Sequence, residues 1–352
     1  MKSEEPATKT TRREFLKSAA FLAVSAVIPS EAVTKPAATT DYKSLAFYPD
    51  RWAKKGLSTQ MYPWIGRRLI FFTTTSDLDL PTLGIFLDRL DSGWALYSDL
   101  TGAKPRPFKL YTDKPTIAAI PDDDLTCGYG CGYIGATGIE VCGFYSNDYP
   151  MVRNHPDEFP HYYFYEMGRN YYLFGNRHSL FITGYAVFMR YVCMDNLHCQ
   201  DPDIATRKTI ERCEELYSQT SMPFLDAFTT VTGLDEKKPR LEIQPSDQPC
   251  MYASAMLKLY RDNGGNEWLK RFYAALKRCP REAPKTEKAA LRQCANWMIA
   301  ASASAKKDLT PLFVNRWRLS LSASVQKVME ETAWTDPHLD VKSICQKIDP
   351  MV

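Results

Sequence analysis

His161-Tyr-Tyr-Phe-Tyr165-Glu166-Met-Gly-Arg169-Asn170, followed by Ile182-Thr183-Gly184-Tyr185-Ala186-Val187-Phe188, decides how this chain reads. Both segments sit in stretches with helical spacing, residues 159–174 and 183–195. On such a helix positions 165 and 169 lie one turn apart on the same face, with Glu166 beside them. Upstream the pattern is mixed. Residues 68–75 are apolar and β-rich, and 108–111 and 115–120 read as further strands. Ser76-Asp77 offers a cap for a helix over 80–100, which Gly102 and Pro105 stop. Residues 133–141 read as a strand bearing glycines, a mark of a bulge or of close backbone approach. Downstream nearly everything is helical: 205–218, 221–232, 251–262, 266–278, 287–304 and 320–333, with Gly264-Gly265, Pro280, Pro284 and Pro311 as punctuation.

The expected architecture is therefore α+β. Residues 33–64 read as a linker and irregular start and 65–150 as an α/β subdomain. Residues 151–204 hold two central helices, and 205–352 form a helical subdomain. A cleft between such halves is the default site. Composition narrows the function. The 352 residues are 45% hydrophobic and 24% charged, an ordinary globular balance that argues against a disordered or coiled-coil chain. Lys+Arg is 44 against Asp+Glu 41, a net +3 too balanced for nucleic-acid binding through counterion release. The longest strongly apolar run is short and N-terminal, so no membrane-spanning segment is expected in the mature chain.

Thr11-Arg12-Arg13-Glu14-Phe15-Leu16-Lys17 resembles the twin-arginine export motif. An apolar stretch over 19–28, Pro29 and the small-residue exit Ser30-Glu31-Ala32 follow in the order of a cleavable leader. The resemblance implies a bacterial-type protein exported already folded, periplasmic or secreted, with residues 1–32 as signal peptide. Ten cysteines in an exported chain suggest disulfides. Cys127 and Cys131 share a Gly-rich turn and could close as a bridge or supply two metal ligands. A four-cysteine zinc site needs a second close pair, and the nearest, Cys193 and Cys199, is six apart. A Cys127–Cys131 disulfide is the expectation.

The pair of central segments resembles the gluzincin metallopeptidases, the zincin-like secreted group that includes M60-like and peptidase MA-like enzymes. Tyr165-Glu166-Met-Gly-Arg169 stands where that group carries H-E-x-x-H. There two His hold zinc and the Glu activates the metal-bound water. Thr183 falls at the position of the Glu ligand on the second helix, and the Gly-bearing strand falls where the cleft-lining edge strand lies. Asp308-Leu-Thr-Pro-Leu-Phe313 with Arg316-Trp317 is similar to a segment after the last long helices of the group. The resemblance spans roughly 65–335 and implies a small sheet with a Gly-bearing edge strand, two active-site helices and a C-terminal helical subdomain.

No motif is intact. Catalytic zinc takes three N, O or S ligands and a water. Tyr165, Arg169 and Thr183 do not make that set, and a guanidinium puts permanent positive charge where the cation would sit. The expectation is a lost zinc site, no cofactor, and a cleft that includes Tyr165, Arg169, Asn170, Thr183 and Tyr185 and binds a peptide or glycan. The alternative is an active hydrolase using Glu166 as catalytic base with a non-standard or relocated metal, the one case that calls for zinc. The expected role of Glu166 is as the partner of Arg169 or Asn170 rather than as a base. The tyrosines at 162, 163, 165, 171 and 172 are packing aromatics or ligand platforms. His155, His161 and His178 flank the region with the spacing of no known metal motif. Nor is there a G-x-S-x-G elbow, a Walker loop or a Rossmann glycine pattern.

Overall fold

The computed structural model describes residues 33–174, 181–228, 248–281 and 286–352. The leader at 1–32, His178 and the end of the 221–232 helix fall outside them. The apolar run read as the first strand becomes β3 (Ile70–Thr73), buried on both faces at the centre of a mixed sheet. Around it lie β1 (Thr40–Asp41), β2 (Gln60–Ile65), β4 (Leu110–Tyr111), β5 (Lys114–Ala119), β6 (Gly130–Gly132) and β7 (Ile139–Val141). The order is β1-β2-β3-β5-β7-β6, with β4 attached to β5. β3, β5 and β7 run parallel, whereas β6 is an antiparallel terminal strand against β7.

Two readings of the sequence are corrected here. Residues 33–64 are no linker: β2 pairs with β3, and Tyr42, Trp52 and Met61 are buried against Ile70 and Phe72 in a second core. Trp52 belongs to α1 (Pro49–Lys54). The Gly-bearing strand is not continuous over 133–141 either. Gly135 and Gly138 have φ of 69° and 119°, a left-handed backbone that ends a strand. The stretch is the turn of a hairpin, and the edge strand is the Gly130–Gly132 piece beside it.

The principal core lies on the other face of the sheet. α2 (Leu80–Thr101) is capped by Asp79, whose carboxylate accepts from Thr82 N, rather than by Ser76-Asp77, and Gly102 closes it in the left-handed region. Phe86 on α2 meets Phe71 from the sheet as well as Phe159 and Tyr163 from the helical part. α3 (Tyr149–Asn154), α4 (Tyr162–Tyr171) and α5 (Ile182–Asn196) follow. Then come α6 (Ile204–Ser218), α7 (Phe224–Phe228), α8 (Gln248–Asp262), α9 (Gly265–Leu276), α10 (Glu287–Ala305), α11 (Ala323–Glu330) and α12 (Val341–Ile348). The sequence reading did not include α12. Sheet and helices share one core, so 33–352 does not divide at 150 or 204. The Asp308–Phe313 segment leads into a wide turn at Leu312–Arg316. There Arg316 Nε and Trp317 Nε1 donate to buried Glu214 of α6 at 2.5 and 2.6 Å. No helix of the described residues is long and apolar enough to cross a membrane.

Candidate functional site

α4 lies across the edge strand β6, and glycines set how close it comes. A Cβ at Gly132 would stand 2.5 Å from the Glu166 carbonyl oxygen, and one at Gly130 would stand 3.1 Å from Glu166 Cγ. Only a strand without side chains on that face admits the helix at this depth. Glu166 is consequently 5% exposed. Burial raises its pKa from the ordinary carboxylate range to about 7, against the Arg169 charge and the nearby Gly132 amide, which both lower it. Arg169 Nε lies 3.7 Å from Glu166 Oε2, an ion pair without a hydrogen bond, and Oε2 has no hydrogen-bond partner.

Arg169 instead donates through a terminal nitrogen to the Tyr165 hydroxyl at 2.7 Å and lies over the Tyr165 ring at 5.1 Å. Tyr165, Glu166 and Arg169 therefore form one cluster, as the i, i+4 spacing requires. Asn170 belongs elsewhere. It is fully buried and donates to the carbonyls of Tyr133 and Gly138, pinning the hairpin turn to α4.

The second helix meets the first antiparallel. A Cβ on Gly168 would stand 3.2 Å from Ala186 Cα, and the Tyr172 and Tyr185 rings are 5.2 Å apart. At the other end Arg190 lies 5.9 Å from the Tyr165 ring. In this register Arg190 faces Tyr165. Thr183 is seven residues earlier on α5, about 10 Å away along the axis at 1.5 Å per residue. No hydrogen bond or ion pair among the described residues joins Thr183 to the cluster. Tyr185 is buried beneath, its hydroxyl 3.4 Å from the Tyr171 carbonyl. The expected convergence of Thr183 and Tyr185 with Tyr165, Glu166 and Arg169 is corrected: the helices are adjacent, but their register brings Arg190 to the site.

Several groups escaped the sequence reading. Arg190 places its guanidinium near Tyr165 and Tyr191, with Nε buried and unpartnered. Tyr129, just before β6, is 81% exposed, with its ring 6.4 Å from Tyr162. Asp148 accepts from the hydroxyls of Tyr162 and Tyr163, and burial raises it to about 6. Glu140 lies on the far face of the sheet, where it accepts from Phe47 N at 2.9 Å, and burial raises it to about 7. A charged residue between Ile139 and Val141 in a buried strand was the available signal for Glu140. Arg190 and Tyr129 carried none, since an arginine or tyrosine is ordinary on a half-buried face.

Of the histidines, His161 opens α4 and is pushed down to about 3 by burial and then by Arg190, so it is neutral. His155 ends α3. Among the described residues no three His, Cys, Asp or Glu side chains gather as a metal site. Cys127 and Cys131 are joined as a disulfide with Cα atoms 5.8 Å apart, as expected. Cys193 and Cys199 are buried thiols. Comparison with models of known protein families, with curated proteins and with solved structures finds no match.

Proposed function

We propose that this is an exported, gluzincin-like protein without the zinc chemistry of that group, which binds an extended peptide along α4 and the outer edge of β6. The observation that carries the reading is the Tyr165–Arg169–Glu166 cluster. The two positions that would hold zinc donate and accept one hydrogen bond between themselves, and the guanidinium leans on the carboxylate that would activate water. Neither Tyr165 nor Arg169 fits a zinc ligand set, and Thr183 is about two turns from them along α5.

A peptide is favoured over a glycan by the terminal strand. β6 pairs on one side with β7 and with no strand on the other among the described residues, an arrangement suited to strand addition. Tyr129 beside it offers an exposed ring for a side chain of the guest. The test has two arms. Purified protein from zinc-supplemented culture is assayed for bound metal, and casein-derived peptides and chitin oligosaccharides are titrated against wild type and Tyr129→Ala. Peptide binding weakened by Tyr129→Ala, with no stoichiometric zinc, supports the reading. Saturable binding of the oligosaccharide alone overturns the peptide. Export is read separately: Arg12→Lys with Arg13→Lys should leave precursor in the cytoplasm.

One observation favours the alternative, a hydrolase. Burial brings Glu166 to about 7, in the range where a carboxylate serves as a general base near neutrality. Peptide cleavage abolished by Glu166→Gln would establish that reading and displace the first.

A further inference from the structure

Outside the Tyr165–Glu166–Arg169 cluster, two cysteines separated by 66 positions bring their sulfurs to 3.3 Å. Cys279 follows the end of α9, its amide bonded to the Leu276 carbonyl, and Cys345 lies in the middle of α12. Both are buried, at 5% and 1% exposure. The other neighbours of Cys279 Sγ are the carbonyls of Ala275 and Asn296, at 3.7 and 3.8 Å. No charged group intervenes between the thiols. Each cysteine also lines its own small cleft. One, of about 30 Å³, is lined by Cys345 with Pro280, Arg292 and Asn296. The other, of about 20 Å³, is lined by Cys279 with Pro280, Tyr273 and Asn296.

We propose that Cys279 and Cys345 are a disulfide site that fastens the C-terminal helix α12 to the end of α9, independently of what the α4 cleft binds. The chemistry is exchange with a small disulfide such as oxidised glutathione. One thiolate attacks the reagent's S–S bond and forms a mixed disulfide while the first reagent thiol leaves. The second cysteine then attacks the mixed disulfide and expels the other. Two protein thiols are oxidised, one reagent disulfide is reduced to two thiols, and the two protons lost by the cysteines end on the departing thiolates.

Space governs when this happens. Clefts of water size admit no protein oxidant, and contact with Cys345 together with burial holds the Cys279 thiol protonated. Exchange therefore begins when α12 lifts away. A helix of eight residues with three buried positions is an element that opens at low cost. Once formed, the bond closes a long loop and restrains the unfolded chain more than the short Cys127–Cys131 bridge does.

The experiment uses the full chain purified without reductant and incubated with oxidised glutathione. Free thiols are alkylated in denaturant, and the unreduced protein is digested and mapped by mass. The expected product is a cross-linked pair of peptides carrying Cys279 and Cys345. Both residues alkylated, or either joined to another cysteine, overturns the proposal. In parallel, reduction should lower the melting temperature of oxidised wild type by about 5 °C or more. Cys345→Ser, which keeps Cys127–Cys131, should respond much less. Equal responses would show that the bond fastens nothing. Should Cys345→Ser fail to fold, the wild-type map decides alone.

Discussion

At the scale of residues, the site rests on one largely buried carboxylate. Glu166 is raised from 4.5 to about 7, so its ionised form is favoured less in the folded than in the unfolded chain. Below the unfolded pKa both states carry the proton and the penalty is absent. As pH climbs towards 7 the unfolded chain releases its proton first, and stability falls until the folded pKa is passed. The full difference is on the order of 3 kcal/mol for Glu166, treated as an upper bound. Glu140, raised to about 7, and Asp148, raised to about 6, act in the same direction. Denaturant titrations should therefore show greater stability near pH 5 than near pH 8. Glu166→Gln should reduce that difference, and an unchanged profile would mean that Glu166 is solvated. Arg169→Ala tests the partner. It should cost roughly 1–3 kcal/mol near pH 8 and less near pH 5, where Glu166 is neutral in either protein and only the Tyr165 bond is lost.

Helical elements were legible where a 3.6-residue period ran long, and illegible where single residues broke it. α2, α5, α6 and α10 end within about two residues of the positions their apolar spacing gives. The strand over 133–141 was misread because glycines within a strand mark a bulge or close approach, whereas the positive φ of Gly135 and Gly138, which only the folded hairpin displays, makes a turn. α12 was missed because eight residues with three buried positions make a faint pattern. The cluster of Tyr165, Glu166 and Arg169 was legible because it is local to one helix. Its relation to α5 was not, since helix register depends on Gly168 meeting Ala186, and sequence distance says nothing of that contact. Register gives a sharp expectation. Tyr165→His with Arg169→His supplies an i, i+4 pair, and the third ligand must come from the α5 residue facing it. Adding Arg190→Glu should yield zinc binding of micromolar strength or better, whereas adding Thr183→Glu should not. Competition with a chromogenic chelator distinguishes them, and equal affinity would refute the register.

On the scale of the whole molecule, the sequence suggested successive parts joined at 150 and 204, but the core runs through those boundaries. α2 carries the connection. Its Phe86 is fully buried and touches Phe71 on β3, Phe144 before α3, Phe159, and Tyr163 on α4. Composition along the chain could not show this, because the partners lie between 15 and 77 positions from Phe86. Glu214, Arg316 and Trp317 make a similar long-range tie within the helical part. Phe86→Ala removes a ring wedged between sheet and helices, and such deletions cost about 3–5 kcal/mol. If the sheet and the helices are one cooperative unit, the loss is shared. Amide exchange should then quicken in β3 and α4 by similar factors, and thermal unfolding should remain one transition at a lower temperature. Were they separable domains, only the slow amides on one side would respond and a second transition would emerge. Hydrogen exchange on wild type and Phe86→Ala, read at the amides of Phe71 and Met167, decides between these outcomes, because both residues are fully buried, one on β3 and the other on α4.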